Sequence, residues 1–214
     1  MSVRRGALSR GRRIVRAARR RPVNRSLAVG GAGMALASLV LLSSPRLRRA
    51  DVRIGDLLRR SRSGPADRVI AAATDIGSMY GVLGVATSLW LAGHRTLARD
   101  VGVIGSAAWL IAQGAKTRVK RERPYEAEGV LRLIRPPTGS SYPSGHAAVS
   151  AAMMSVIAAY TPDRTTQATA IGMIVFVAAS RVYVGVHYPS DVLGGIGMGL
   201  LLARGWRAFG WVEN

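Results

Sequence analysis

Six apolar stretches separated by arginine-rich segments constrain this chain more than any other feature. They cover residues 27–42, 69–92, 101–115, 145–160, 168–186 and 192–211. Hydrophobic residues make up 49% of the chain, and 31 Lys and Arg oppose 11 Asp and Glu, for a formal net charge of +20. A soluble enzyme interleaves apolar and charged residues along amphipathic elements. Here they occupy separate stretches, which predicts a polytopic membrane protein. One stretch alone is ambiguous, because the first is short of the roughly 20 residues of a bilayer span. Six of them in 214 residues predict an all-α bundle of six transmembrane helices. Small residues recur in all six, most densely at Gly194, Gly195, Gly197 and Gly199, which suits close helix packing in lipid. The apolar content excludes disorder throughout. The absence of Cys excludes a disulfide framework, a Cys-ligated metal and a thiol nucleophile.

The chain divides into a basic tail, residues 1–25, and a membrane-embedded domain, residues 26–214. The tail holds ten Arg and no acidic residue. Such a block of like charge is expected to be mobile or weakly helical. With an apolar run directly after it and no interleaved aromatic residue, it reads as a topological anchor or a contact for anionic lipid headgroups, not as a nucleic-acid binder. It does not read as a cleaved signal peptide. Within residues 45–68, Ile54, Leu57 and Leu58 among charges predict an amphipathic helix at the membrane interface. Trp206, Phe209 and Trp211 are placed like an interfacial aromatic belt. Gly30-Gly-Ala-Gly33 follows no strand, so it reads as a helix-packing or flexibility feature and not as a nucleotide loop. Six spans put the connections after the third and fifth stretches on one membrane face. Lys and Arg divide almost evenly between the faces, so total charge does not orient the chain. The tail's density favours a cytoplasmic N-terminus, and with it an outward-facing site in a bacterial cell membrane.

Three clusters lie at stretch ends assigned to that one face. The first runs from Lys116 to Arg123-Pro124. Seven residues make about two helical turns, so Lys116 and Arg123 can point from one side. The plainer reading is positive charge snorkelling at a membrane end. The second is Ser141-Tyr-Pro-Ser144-Gly145-His146. Ser144 is a natural N-cap, and a helix start with Gly145 forms an anion site beside His146. The plainer reading is a cap followed by an incidental His. The third runs from Ser180-Arg181 through His187 to Pro189-Ser-Asp191. Pro189 breaks the helix, so Asp191 can fold back on His187 and fix its tautomer. The plainer reading is that Ser190 or Asp191 simply caps the last helix. Cations, a helix N-terminus and two of the chain's three His at one face describe a site for a transferring phosphoryl group.

K-x6-R-P, P-S-G-H and S-R-x5-H-x3-D, in this order, resemble the motifs of the type 2 phosphatidic acid phosphatase superfamily. The resemblance implies a membrane phosphatase acting on a lipid phosphate monoester or diphosphate: phosphatidic acid, phosphatidylglycerol phosphate, or a polyprenyl phosphate or diphosphate. It implies that His187 is the nucleophile of a phospho-histidine intermediate, Asp191 its orienting partner and His146 the general acid. Lys116, Arg123, Arg181, Ser144 and Gly145 become the phosphate cradle, and no metal or other cofactor is implied. The haloperoxidase branch with vanadate in place of phosphate shares these motifs, and a non-catalytic lipid-binding scaffold is a third reading. His94 falls on the opposite face and reads as an incidental loop residue. Asp75, an ionisable group inside the second stretch, is either a functional residue or an interfacial partner for an Arg.

Overall fold

A computed structural model of the protein describes residues 25–208. The tail up to residue 24 and the belt positions Phe209 and Trp211 lie outside the described residues. The described residues are helical, with no strand among them. In chain order the helices are α1 (Arg25–Ser43), α2 (Pro45–Arg59), α3 (Gly64–Ala73), a 3-10 turn (Thr74–Gly77), α4 (Met79–Leu91), α5 (Arg95–Arg118), the short α6 (Pro124–Ala127), α7 (Gly145–Ala159), α8 (Arg164–Tyr183) and α9 (Pro189–Ala208).

The centre of the bundle is α7, which packs against α5, α8 and α9, while α9 also runs along α1. Ala, Val and Met on α7 are buried on every side, as expected of a helix that is apolar all round. Glycine permits the closest crossings. A Cβ on Gly195 would stand 2.4 Å from the Ser144 carbonyl oxygen, and one on Gly199 would stand 2.3 Å from that of Ala148. On the other side of α9, a Cβ on Gly197 would meet the Gly31 carbonyl oxygen at 2.6 Å, so Gly31 serves packing, whereas a Cβ on Gly30 or Gly33 would have nothing within 4 Å. The larger apolar side chains point outward: Leu36 and Leu39 on α1, Leu83 and Trp90 on α4, Leu110 on α5, and Ile171 and Val175 on α8. A small-residue interior with Leu, Ile and Trp outside is the arrangement of helices packed in lipid.

The described part of each of the six apolar stretches is mainly helical, but two helix pairs bend sharply. The axes turn by 111° between Ala28–Ser43 and Pro45–Arg59. Pro45 pushes Ser44 into an extended conformation there. The stretch 69–92 is not one helix either. Its axis turns by 71° between Gly64–Gly77 and Met79–Leu91, at Ser78, whose hydroxyl accepts from the Gly81 amide and caps α4. Among the described residues, α8 alone is long and apolar enough to cross a membrane by itself, and three passages result if each bent pair counts as one. The shortfall from six has local causes. Helix α7 has 15 residues, and α5 carries Arg95, Arg99 and Asp100 at one end and Lys116 and Arg118 at the other.

Helix α2 is amphipathic, as its sequence predicts, with a definite orientation. Ile54, Leu57 and Leu58 are exposed, while Asp51, Gly55 and Arg59 turn into the protein.

Candidate active site

The ends of α5 and α8 and the starts of α7 and α9 meet at one end of the bundle. The 3-10 turn and α2 reach the same place. The Ser144 amide donates to the Asp191 carbonyl at 2.9 Å, which locks the starts of α7 and α9 together.

Arg123 leaves the connection after α5 and is fully buried (0% exposed). Its guanidinium donates to the carbonyls of Val186 (3.0 Å), Gly139 (3.1 Å), Thr138 (3.2 Å) and Ser140 (3.3 Å). The same Nη1 faces His187 Nε2 at 3.5 Å. The planar fork thus clamps the 138–140 loop to the α8–α9 connection, with one edge on the imidazole. That connection turns at Gly185, whose φ of +83° suits glycine, and where a Cβ would also stand 2.7 Å from the Leu131 carbonyl oxygen.

His187 is 2% exposed, and its Nδ1 faces Asp191 Oδ2 at 3.5 Å, beyond a formed hydrogen bond. Burial drives its pKa down to about 3 and the nearby Arg123 and Arg181 charges add to this, with Asp191 opposing them. The ring is therefore neutral across the physiological range. Asp191 is completely buried and well partnered. Oδ2 accepts from Ser141 Oγ at 2.5 Å and the Tyr188 amide at 2.8 Å, and Oδ1 accepts from Arg121 Nη1 at 2.6 Å. By reaching back to the Tyr188 amide, Asp191 caps α9, so the capping and the His-facing placements coexist.

Arg181 is buried in the last turn of α8, where Nη1 donates to Thr74 Oγ1 at 3.1 Å. Ser144 occupies the N-cap position of α7, but its hydroxyl makes no capping hydrogen bond. The buried Ser144 Oγ, Arg181 Nε and His187 Nδ1 are all without a hydrogen-bond partner. Orphaned buried polar atoms of this kind are uncommon; His187 Nδ1 is directed at Asp191, which leaves Ser144 Oγ and Arg181 Nε as the two with no polar group facing them. Gly145 has space, since a Cβ there would meet only Ala112 Cβ, at 3.8 Å. Lys116 lies in the electrostatic field of Arg123, Arg181 and Asp191. His146, less buried than His187, faces Asp75 Oδ1 at 3.4 Å and shares the field of Arg181 and Lys116. His94 is exposed at the far end of α5, about 30 Å along the helix from Lys116.

The structure therefore gathers His187, Asp191, His146, Lys116, Arg123, Arg181, Ser144 and Gly145 into one region. It adds Asp75 and Thr74 from the 3-10 turn, and Arg121 and Asp51 behind Asp191. Asp75 is visible in the sequence as a lone charge in an apolar run. Arg121 is hidden among five cations between residues 116 and 123, and only the 51, 55, 59 spacing on α2 hints that Asp51 faces inward.

The family model described as PAP2 superfamily matches residues 98–214. The chain is 35% identical over 114 residues to an undecaprenyl-diphosphatase of Sulfolobus acidocaldarius, a match covering 51% of this chain and 54% of that protein. It is 41% identical over 71 residues to phosphatidylglycerophosphatase B of Bacillus subtilis, covering 29% of this chain and 35% of the other. The chain thus spans about half or less of the curated relatives it matches. Among solved structures, a transmembrane PAP2 type phosphatidylglycerolphosphate phosphatase from Bacillus subtilis superposes with a TM-score of 0.71 at 23% identity, covering 84% of this chain and 94% of that one. Aquifex aeolicus LpxE superposes with a TM-score of 0.65 at 20% identity, covering 71% and 91%. These likenesses establish a shared fold.

Proposed function

The chain belongs to the PAP2 superfamily, and on that premise we propose that it is an integral membrane phosphatase that hydrolyses a lipid phosphate monoester or diphosphate through a phospho-histidine. The observation that carries this reading is the setting of His187, a neutral buried imidazole with a carboxylate behind Nδ1 and a guanidinium beside Nε2. In the proposed reaction His187 Nε2 attacks phosphorus. The bond from phosphorus to the leaving oxygen breaks, its electron pair stays on that oxygen, and His146 supplies the proton. Water then attacks the phospho-histidine, gives a proton to His146, and returns His187 with release of phosphate. Asp191 stabilises the imidazole as it gains positive charge, while Lys116, Arg123 and Arg181 neutralise the phosphoryl oxygens. The Ser144 hydroxyl and the Gly145 amide supply neutral donors at the α7 start.

Six membrane passages, a cytoplasmic N-terminus and contact of the basic tail with anionic headgroups belong to the same proposal. A bundle end rich in cations lets the headgroup phosphate enter while its chains remain in the bilayer. The names of the curated relatives support a polyprenyl diphosphate or phosphatidylglycerol phosphate as the first substrates to test.

The test is phosphate release from a panel of lipid phosphates by the protein in detergent, with His187→Ala and His146→Ala beside it. Either substitution is expected to cost several decades in kcat, because each removes a participant in the chemical step. Near-wild-type turnover in both variants would sink the mechanism.

A further inference from the structure

We propose that Arg121 and Asp51 are positioning residues for the reaction, forming a chain of charge that sets Asp191 behind His187 and ties it to the amphipathic helix α2. The proposal rests on the phosphatase reading above and extends it to two residues outside the three motifs' defining positions.

The geometry is specific. Arg121 Nη1 donates to Asp191 Oδ1 at 2.6 Å and to Ser190 Oγ at 2.7 Å. Its Nη2 donates to Asp51 Oδ2 at 2.8 Å. The guanidinium lies over the Tyr188 ring, 3.9 Å from its centroid. Asp51, 1% exposed, also accepts from the Ser190 amide at 2.8 Å and from Ser190 Oγ at 2.5 Å. Two buried carboxylates from distant parts of the sequence thus share one guanidinium, and Asp51 also holds Ser190 at the start of α9.

Three consequences follow from elementary electrostatics. Arg121 occupies one oxygen of Asp191, so the other, Oδ2, is the one that faces His187 Nδ1. Asp51 and Asp191 would repel one another across Ser190, and the Arg121 guanidinium bonded to both offsets that repulsion. Finally, Asp51 supplies α9 with an N-terminal hydrogen-bond acceptor from a different helix, which fixes where the first turn of α9, and therefore Asp191, stands. The backbone of Arg121 is itself fixed. Its amide donates to Ser140 Oγ at 2.9 Å and its carbonyl accepts from the Ser141 amide at 2.8 Å. Ser141 is also the residue whose hydroxyl donates to Asp191 Oδ2. Arg121 therefore reaches Asp191 by two routes, one through its side chain and one through the loop it holds. Neither Arg121 nor Asp51 hydrogen-bonds or ion-pairs with His187, so their polar influence on it passes through Asp191.

The test uses full-length protein in detergent and the lipid phosphate that the panel finds best. Arg121→Lys keeps the charge but loses the two-armed bridge, and Asp51→Asn keeps the shape and the acceptor for the Ser190 amide. Each is expected to lower kcat by about tenfold or more with KM changed less than about twofold, the scale seen when residues that orient a reactive group are altered. Thermal unfolding of both variants verifies that they are folded at the assay temperature. In an Asp191→Asn background, adding Arg121→Lys is expected to cost less than about twofold further, because the residue through which it acts is already disabled. A merely structural role predicts that the two losses multiply. Folded single variants with wild-type kcat, or full multiplication in the double variant, would overturn the positioning role. His187→Ala separates the two layers. If it abolishes activity while Arg121→Lys does not affect it, only the positioning role falls; if activity survives it, the phosphatase reading falls first.

Discussion

Replacing Arg123 by lysine asks whether the site depends on a planar two-armed cation or only on positive charge. The guanidinium donates to four carbonyls, those of Val186, Gly139, Thr138 and Ser140, and faces His187 Nε2 with the same Nη1 that holds Val186. A lysine ammonium has three protons on a single atom, so it cannot span the distance between the α8–α9 connection and the 138–140 loop. At least two carbonyls lose their donor, at about 1–3 kcal/mol each where they stay buried. In the proposed reaction the phosphoryl oxygens would lose a fixed donor beside His187 Nε2, for which the expected catalytic cost is about 100- to 1000-fold in kcat, or about 2.7–4 kcal/mol. The assay is steady-state phosphate release at saturating and subsaturating lipid phosphate, with thermal unfolding measured on the same preparations. We expect kcat/KM to fall by at least about 100-fold and the unfolding midpoint to drop as well. An Arg123→Lys enzyme within threefold of wild type on kcat/KM would refute the claim that geometry, beyond charge, is what the buried arginine contributes.

The glycines of α9 give a contrasting pair. Gly195→Ala would force a Cβ to 2.4 Å from the Ser144 carbonyl oxygen, so it is expected to destabilise the protein by about 1–3 kcal/mol and to depress activity by displacing the start of α7. Gly205→Ala, where nothing lies within 4 Å of the added Cβ, is expected to raise stability by about 0.4–1 kcal/mol, and thermal unfolding of the two in parallel decides it. Because His187 titrates near 3 in the folded protein and near 6.5 when unfolded, the unfolded state binds the extra proton between these values. Stability is expected to be flat for this group above about pH 6.5 and to fall as pH drops toward 3, a slope that His187→Gln removes in thermal unfolding across that window. Asp75→Asn removes the carboxylate facing His146 while keeping its shape, and is expected to lower kcat by about threefold to tenfold with little change in KM, on the scale of a weakened acid–base partner. An unchanged kcat would remove Asp75 from the chemistry.

What the sequence made legible follows from chain topology. Three motifs at alternate helix ends must meet if the helices are antiparallel neighbours, which brings Lys116, His146, Arg181 and His187 to one end; Arg123 arrives differently from the two-turn helical spacing expected of it, since α5 ends at Arg118 and Arg123 lies in extended backbone beyond. The packing glycines were equally readable, because a dense run of small residues in an apolar helix serves close approach. The side chains behind the site were not readable, since their partners are set by tertiary contact. Arg121 and Asp51 are 70 positions apart, and each sits among like neighbours, arginines in one case and a mixed charged stretch in the other. Nothing local distinguishes the arginine that enters the interior from those that stay at the surface.

The break at Ser78 escaped for a different reason, and it explains why Asp75 lies where it does. Residues 69–92 are apolar enough that hydropathy predicts one continuous helix, since no proline interrupts them. The interruption depends on packing. A Cβ on Gly77 would stand 2.6 Å from the His146 carbonyl oxygen and 2.8 Å from Val177 Cγ1, so the chain at this point is pressed against both α7 and α8. A straight helix would carry residues 74 and 75 past these neighbours. The bend holds them there, and Thr74 bonds Ser180 and Arg181 while Asp75 faces His146. An acidic residue that hydropathy assigns to the interior of a span thus stands at the bundle end, between a histidine and the charge of a buried arginine. Placing a carboxylate there is far less costly than in hydrocarbon, which is how the chain can keep an ionisable group within an otherwise apolar run.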